Sequence, residues 1–110
     1  MKEINFEEIS FGIITYAGMA KSNALIAIKS AKEGKTTDAN NLIAEAEQNI
    51  IEAEKQHMTI IQEEAQGTKH QIPVLFMNAE DQMMTAQMVI ELAKEFIELY
   101  DKLLAKKVLD

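Results

Sequence analysis

Residues 78–100 read Asn78-Ala79-Glu80-Asp81-Gln82-Met83-Met84-Thr85-Ala86-Gln87-Met88-Val89-Ile90-Glu91-Leu92-Ala93-Lys94-Glu95-Phe96-Ile97-Glu98-Leu99-Tyr100. The spacing of their apolar side chains decides the fold. One stripe runs Ala79, Met83, Ala86, Ile90, Ala93, Ile97, Tyr100 and on to Leu104, in alternating steps of four and three, a heptad seam. A second runs Met77, Asp81, Met84, Met88, Leu92, Leu99 and Leu103, with Phe96 beside it. One stripe docks a helix onto its own bundle. Two predict burial on two sides. Either this helix lies centrally over its partners, or copies of the chain associate through it; the second is the expectation here.

Outward from that stretch, glycine and proline punctuate the chain. Gly34 and Gly67 sit in polar turns, and the single proline, Pro73, precedes the apolar run Val74-Leu75-Phe76-Met77. Between them Ala, Glu, Lys, Ile, Leu and Met dominate, which favours helix. No segment alternates as a strand does. The reading is all-α: three helices near 5–33, 37–66 and 74–107, joined by short connections into an up-down-up antiparallel three-helix bundle. The first helix opens on Asn5 with Glu8 three residues on, the residue types of a capping box. Its apolar face is Phe6, Ile9, Ile13, Ala17, Ala20, Ala24, Ala27 and Ala31, whose alanines admit a close neighbour. The second is expected to be capped by Thr36 or Thr37. Its face is Leu42, Ala46, Ile50, Ala53, His57, Ile60 or Ile61, and Ala65. Gly34 and Gly67 suit helix ends that need a left-handed residue.

The 110 residues suit a single domain spanning 1–110. Eleven basic against 18 acidic residues give a net charge of -7, which excludes a general nucleic-acid binder. With no cysteine there is no disulfide, thiolate metal site or thiol nucleophile. The apolar run in the second half is far short of the ~20 residues that span a bilayer. The first eight residues carry acids where a signal peptide is basic. A soluble cytoplasmic domain without membrane insertion is expected.

Candidates for chemistry are few. Asp81 interrupts an apolar stripe, and a lone carboxylate there needs a partner, hydrogen bonds or a metal. If a threefold axis passes beside the stripe, three Asp81 carboxylates converge, and like charges so placed either raise one another's pKa values or recruit a cation, a hard one such as Mg²⁺ suiting oxygen ligands. The plainer alternative is a local helix cap in Asn78-Ala79-Glu80-Asp81. His57, on the apolar face of the second helix, is expected to be a hydrogen-bonded core or rim histidine. His70, in a polar turn, is expected to be solvated. Met83, Met84 and Met88 suit packing. No Ser/His/Asp order, HExxH or phosphate-cradling glycine loop is present.

The motifs also resemble a family. Ala17-Gly18, the Ala31-Lys32-Glu33-Gly34 end, Ile61-Gln62-Glu63-Glu64-Ala65, Asn78 to Ala86 and Leu92 to Tyr100 are similar to the enzyme IIA component of the lactose/cellobiose class of the bacterial sugar phosphotransferase system. The family pattern His-Ala-Gln-Asp-His-Leu-Met-Thr matches Ala79, Asp81, Met84 and Thr85. The resemblance implies a homotrimer of three-helix protomers, and a phosphoryl group taken from HPr and passed to IIB during disaccharide uptake. It also implies a divalent ion, Mg²⁺ by its donors, held by Asp81 of each subunit.

The departures from that pattern matter more. The phosphoryl-accepting histidine falls on Asn78, the second histidine on Gln82, and a histidine usual in the second helix on Glu54. His57 and Glu80 each stand where glutamine is expected. The amide nitrogen of Asn78 has its lone pair delocalised into the carbonyl and cannot attack phosphorus. Glu80 is expected to add a repelling charge. A paralogue that has lost the relay and kept its docking surfaces explains this. A single designed substitution does not explain the concurrent changes. Alternatives are a phosphocarrier using His57, or a structural helical oligomer outside this system.

Overall fold

The computed structural model describes residues 4–106. Three helices, α1 (Phe6–Lys32), α2 (Thr36–Ala65) and α3 (Val74–Ala105), form a bundle about 60 Å long and 20 Å across. The boundaries agree with the sequence reading to within two residues, except that Lys107 lies outside the described residues.

Contacts fix the topology. Gly12 faces Gln56 and Asn23 faces Glu45 and Asn49, so α1 and α2 run antiparallel. Phe6 meets Phe76 and Gly34 meets Leu104, so α1 and α3 run parallel. His57 pairs with Glu80 and Glu47 with Lys94, so α2 and α3 are antiparallel. This is the up-down-up arrangement.

The core is built on small residues. α1 buries Ala17, Ala20, Ala24, Ala27 and Ala31, α2 buries Ala39, Ala46 and Ala53, and α3 buries Ala79, Ala86 and Ala93. Ile13, Ile43, Ile50, Ile60, Phe76, Met83, Ile90 and Ile97 fill the space between them. α1 is the central helix, packing extensively against both partners, whereas α2 and α3 touch each other much less. α1 is also long and apolar enough to cross a membrane, by length and composition alone. Its alanine face is accounted for by this central place in the bundle.

The thin α2–α3 seam is bridged by a polar ladder. Glu80, Gln87, Lys94 and Asp101, each seven residues after the last, meet His57, Glu54, Glu47 and Thr36 in turn. Beneath the rungs lie Ile43, Ile50, Ile90 and Ile97, buried.

The ends follow local chemistry. Asn5 Oδ1 accepts from the Glu8 amide at 3.0 Å. Gly34 and Gly67 take φ of +80° and +94°, the left-handed conformation open to glycine. α2 differs from expectation: Lys35 occupies the cap position, with no side-chain cap, and Thr36 is turned to Asp101 instead. On α2 Ala39 and Ile43 join the buried face, Ile60 rather than Ile61 is buried, Leu42 is half-buried and Ala65 exposed. Ser10 joins the buried face of α1.

Candidate functional site

The two stripes of α3 separate cleanly. Ala79 through Ile97 of the first are buried. Met77, Met84, Met88, Leu92, Phe96 and Leu99 of the second are exposed, Met88 at 59% and Leu92 at 50%. α3 therefore does not lie centrally over its partners. Its outer face leaves in water six large apolar side chains that a single chain cannot cover.

Asp81 and Asn78 lie exposed on that face, and Gln82, one turn after Asn78, is half-buried. The local-cap alternative for Asp81 is overturned. α3 starts at Val74 behind Pro73, whose carbonyl already accepts from the amides of Phe76 and Met77, so the free amides are those of Val74 and Leu75 and Asp81 sits beyond the first turn. Among the described residues no three His, Asp or Glu side chains of one chain converge on a point that could hold a metal. Asp81 offers one exposed carboxylate, the donor type a hard cation takes. It fits such an ion only where other copies bring further oxygens.

At the α2–α3 end nearest Asn78 lies a second arrangement. His57 Nε2 is 2.7 Å from Glu80 Oε2. The His57 ring stacks on Phe76 at 5.8 Å between centroids and 6° between planes. Phe6 presses edge-on against both Phe76 and His70. His57 is thus the hydrogen-bonded rim histidine expected. Glu80 is not the free repelling charge expected, because its carboxylate is engaged by the imidazole. Glu54 accepts from Gln87 Nε2 at 2.8 Å, one rung along. His70 is a further correction. Its side chain is mostly buried and its Nε2 has no hydrogen bond among the described residues, Glu63 lying 3.8 Å away. The turn after Gly67 folds the ring onto Phe6 rather than into solvent.

Sequence reasoning missed a further exposed apolar set on α1, namely Phe11, Met19, Leu25 and Ile26. Its signal in the sequence is the absence of charge from Ile9 to Ala20 and again from Ser22 to Ile28.

Comparisons with known proteins place this geometry in a class. The family model for the lactose/cellobiose-specific IIA subunit of the phosphotransferase system matches residues 8–101. The chain belongs to that family. It is similar to the oligo-beta-mannoside-specific EIIA component of Bacillus subtilis, 38% identical over 94 residues and 86% of each chain. It is similar to the crystal structure of the cellobiose-specific enzyme IIA from Bacillus anthracis, with a TM-score of 0.89, 42% identity and 96% of each chain covered. It is also similar to the IIA(Chitobiose) chain solved with HPr from Escherichia coli, with a TM-score of 0.73 and 27% identity, covering 92% of this chain and 98% of that one.

Proposed function

We propose that this chain is a cytoplasmic IIA-type subunit that assembles as a homotrimer and docks HPr and IIB without carrying a phosphoryl group at position 78. The supporting observation is the outer face of α3, where Asn78 and Asp81 stand exposed within a continuous row of uncovered Met, Leu and Phe side chains.

Burying that row between copies supplies the driving force for assembly, since each fully buried large apolar side chain is worth about 1.5–3 kcal/mol. A threefold arrangement brings three Asp81 carboxylates together. Asp81 of each subunit would then hold a divalent cation, Mg²⁺ by the hardness of the oxygens, which supplies the positive charge that lets the acids meet. Asn78, one turn before Gln82, occupies the place of the family's phosphoryl acceptor. Its amide has hydrogen-bonding capacity but no free nitrogen lone pair. The surfaces survive and the standard chemistry at that position does not. The ancestral role is phosphoryl carriage from HPr to IIB during uptake of a disaccharide such as cellobiose or lactose. The relative solved with HPr supports HPr as the docking partner.

The test is to titrate isotope-labelled HPr with the protein, and separately to incubate both with phosphoenolpyruvate and enzyme I. Localised shift changes in HPr, with no phosphoryl group on the peptide containing Asn78, are expected. Absence of binding, or a phosphoryl group at residue 78, overturns the reading.

A further inference from the structure

We propose that His57 is a phosphoryl acceptor, with Nδ1 as the attacking atom and Glu80 as its positioning residue. An ionised carboxylate only accepts hydrogen bonds, so at 2.7 Å the Nε2 of His57 is the protonated nitrogen. In the neutral ring the lone pair then lies on Nδ1. Two further contacts hold this tautomer in one orientation. Phe76, itself 2% exposed, stacks parallel to the ring. Phe6 in turn meets Phe76 edge-on at 5.4 Å between centroids. The His57 side chain keeps 18% of its surface in solvent, and the edge bearing Nδ1 is the one Glu80 does not occupy.

The step balances without a further reactant beyond a donor carrying a phosphorus–nitrogen bond. The Nδ1 lone pair forms the new N–P bond as the donor's N–P bond breaks, and that electron pair returns to the donor nitrogen. The positive charge arising on the His57 ring is met through Nε2–H by the Glu80 carboxylate. Glu80 touches no reacting atom; it sets the tautomer and stabilises the product. His70 lacks this arrangement, its Nε2 being buried with no hydrogen bond among the described residues.

Phosphohistidine of HPr as the physiological donor rests on the docking reading above; the nucleophilicity of His57 does not. Potassium phosphoramidate, a small N–P donor, therefore tests it on the full chain with HPr absent. An acid-labile phosphoryl group mapping to His57 by tandem mass spectrometry is expected, accumulating about tenfold faster than on His70, whose Nε2 has no hydrogen-bonded carboxylate among the described residues to stabilise the charged product. Glu80→Gln, which keeps shape and hydrogen bond but not charge, should slow His57 labelling about tenfold while leaving the helical circular dichroism unchanged. His57→Gln should abolish it. Nitrogen NMR of the unmodified protein should report Nδ1 as pyridine-type and Nε2 as pyrrole-type, a signature that a purely structural pair with mixed tautomers lacks. Label on His70 alone, equal rates with and without Glu80→Gln, or the opposite tautomer overturns the proposal. HPr binding that persists with His57 unlabelled by phosphoramidate overturns this proposal and leaves the docking reading standing. Labelled His57 without HPr binding does the reverse.

Discussion

His57 Nε2 and Glu80 Oε2 meet at 2.7 Å across the seam where α2 and α3 otherwise touch least. Both residues stand where the family resemblance leads one to expect neutral glutamine. Their meeting ties the two departures together: an imidazole N–H and a carboxylate satisfy each other where either alone would be a half-buried polar group without a partner. The same contact forms the first rung of a ladder that continues through Gln87–Glu54, Lys94–Glu47 and Asp101–Thr36. Those rungs set the register of two helices joined by only a thin apolar floor.

The cation proposal predicts that the assembled protein, dialysed against Mg²⁺, retains less than one ion per chain, with one shared among three copies. Asp81→Leu should retain none by elemental analysis. An ion retained by the leucine variant would place the metal elsewhere.

Substitutions on the two stripes of α3 should behave oppositely. Met88→Glu with Leu92→Glu changes exposed positions, so helicity should stay intact while sedimentation shows dissociation to single chains. Ile90→Ala, at a residue 3% exposed, should instead destabilise the fold by about 2–5 kcal/mol in urea titrations.

Glycines in two settings should respond with opposite signs. A side chain added at Gly18, inside α1, meets nothing within 4 Å, so Gly18→Ala should stabilise each chain by about 0.5–1 kcal/mol. Gly34 holds φ at +80°, and Gly34→Ala should cost about 1–2 kcal/mol for the left-handed strain. Chemical denaturation of both variants checks the contrast.

Lys94 gives a pH dependence. Burial lowers its pKa and is the largest single influence, but hydrogen bonds and charge from Glu47 and Glu91 together hold it above the usual 10.5. A raised pKa in the fold means the rung contributes fully below the unfolded pKa and is lost as pH rises through the folded one. Stability measured from pH 9 to 12 should fall less steeply in Lys94→Met than in the unmodified chain. Equal slopes would show that Lys94 contributes no linkage.

Much of the fold was legible because its signals are local. The four-and-three stepping of Ala79 to Ile97 names the buried face without knowledge of what covers it. Asn5 with Glu8, and Gly34 and Gly67, mark ends by backbone chemistry that operates over one turn. What was not legible depends on register between helices. Nothing in the residues around Thr36 says that its hydroxyl turns to Asp101 rather than capping α2. Nothing around Glu80 says that its carboxylate finds His57. His70 looks solvated in a polar turn, yet the turn returns it to Phe6, sixty-four residues earlier. The outer face of α3 was readable as apolar, but only the packing of α1 between its neighbours established that, among the described residues, no helix of the same chain covers it.

Sedimentation equilibrium of the full chain at micromolar concentration tests the central claim most directly. A mass three times the 12.4 kDa of one chain is expected, because the outer stripe of α3 needs a cover. A stable species of 12.4 kDa would leave that stripe in water and contradict the assembly on which the proposed docking and cation sites depend.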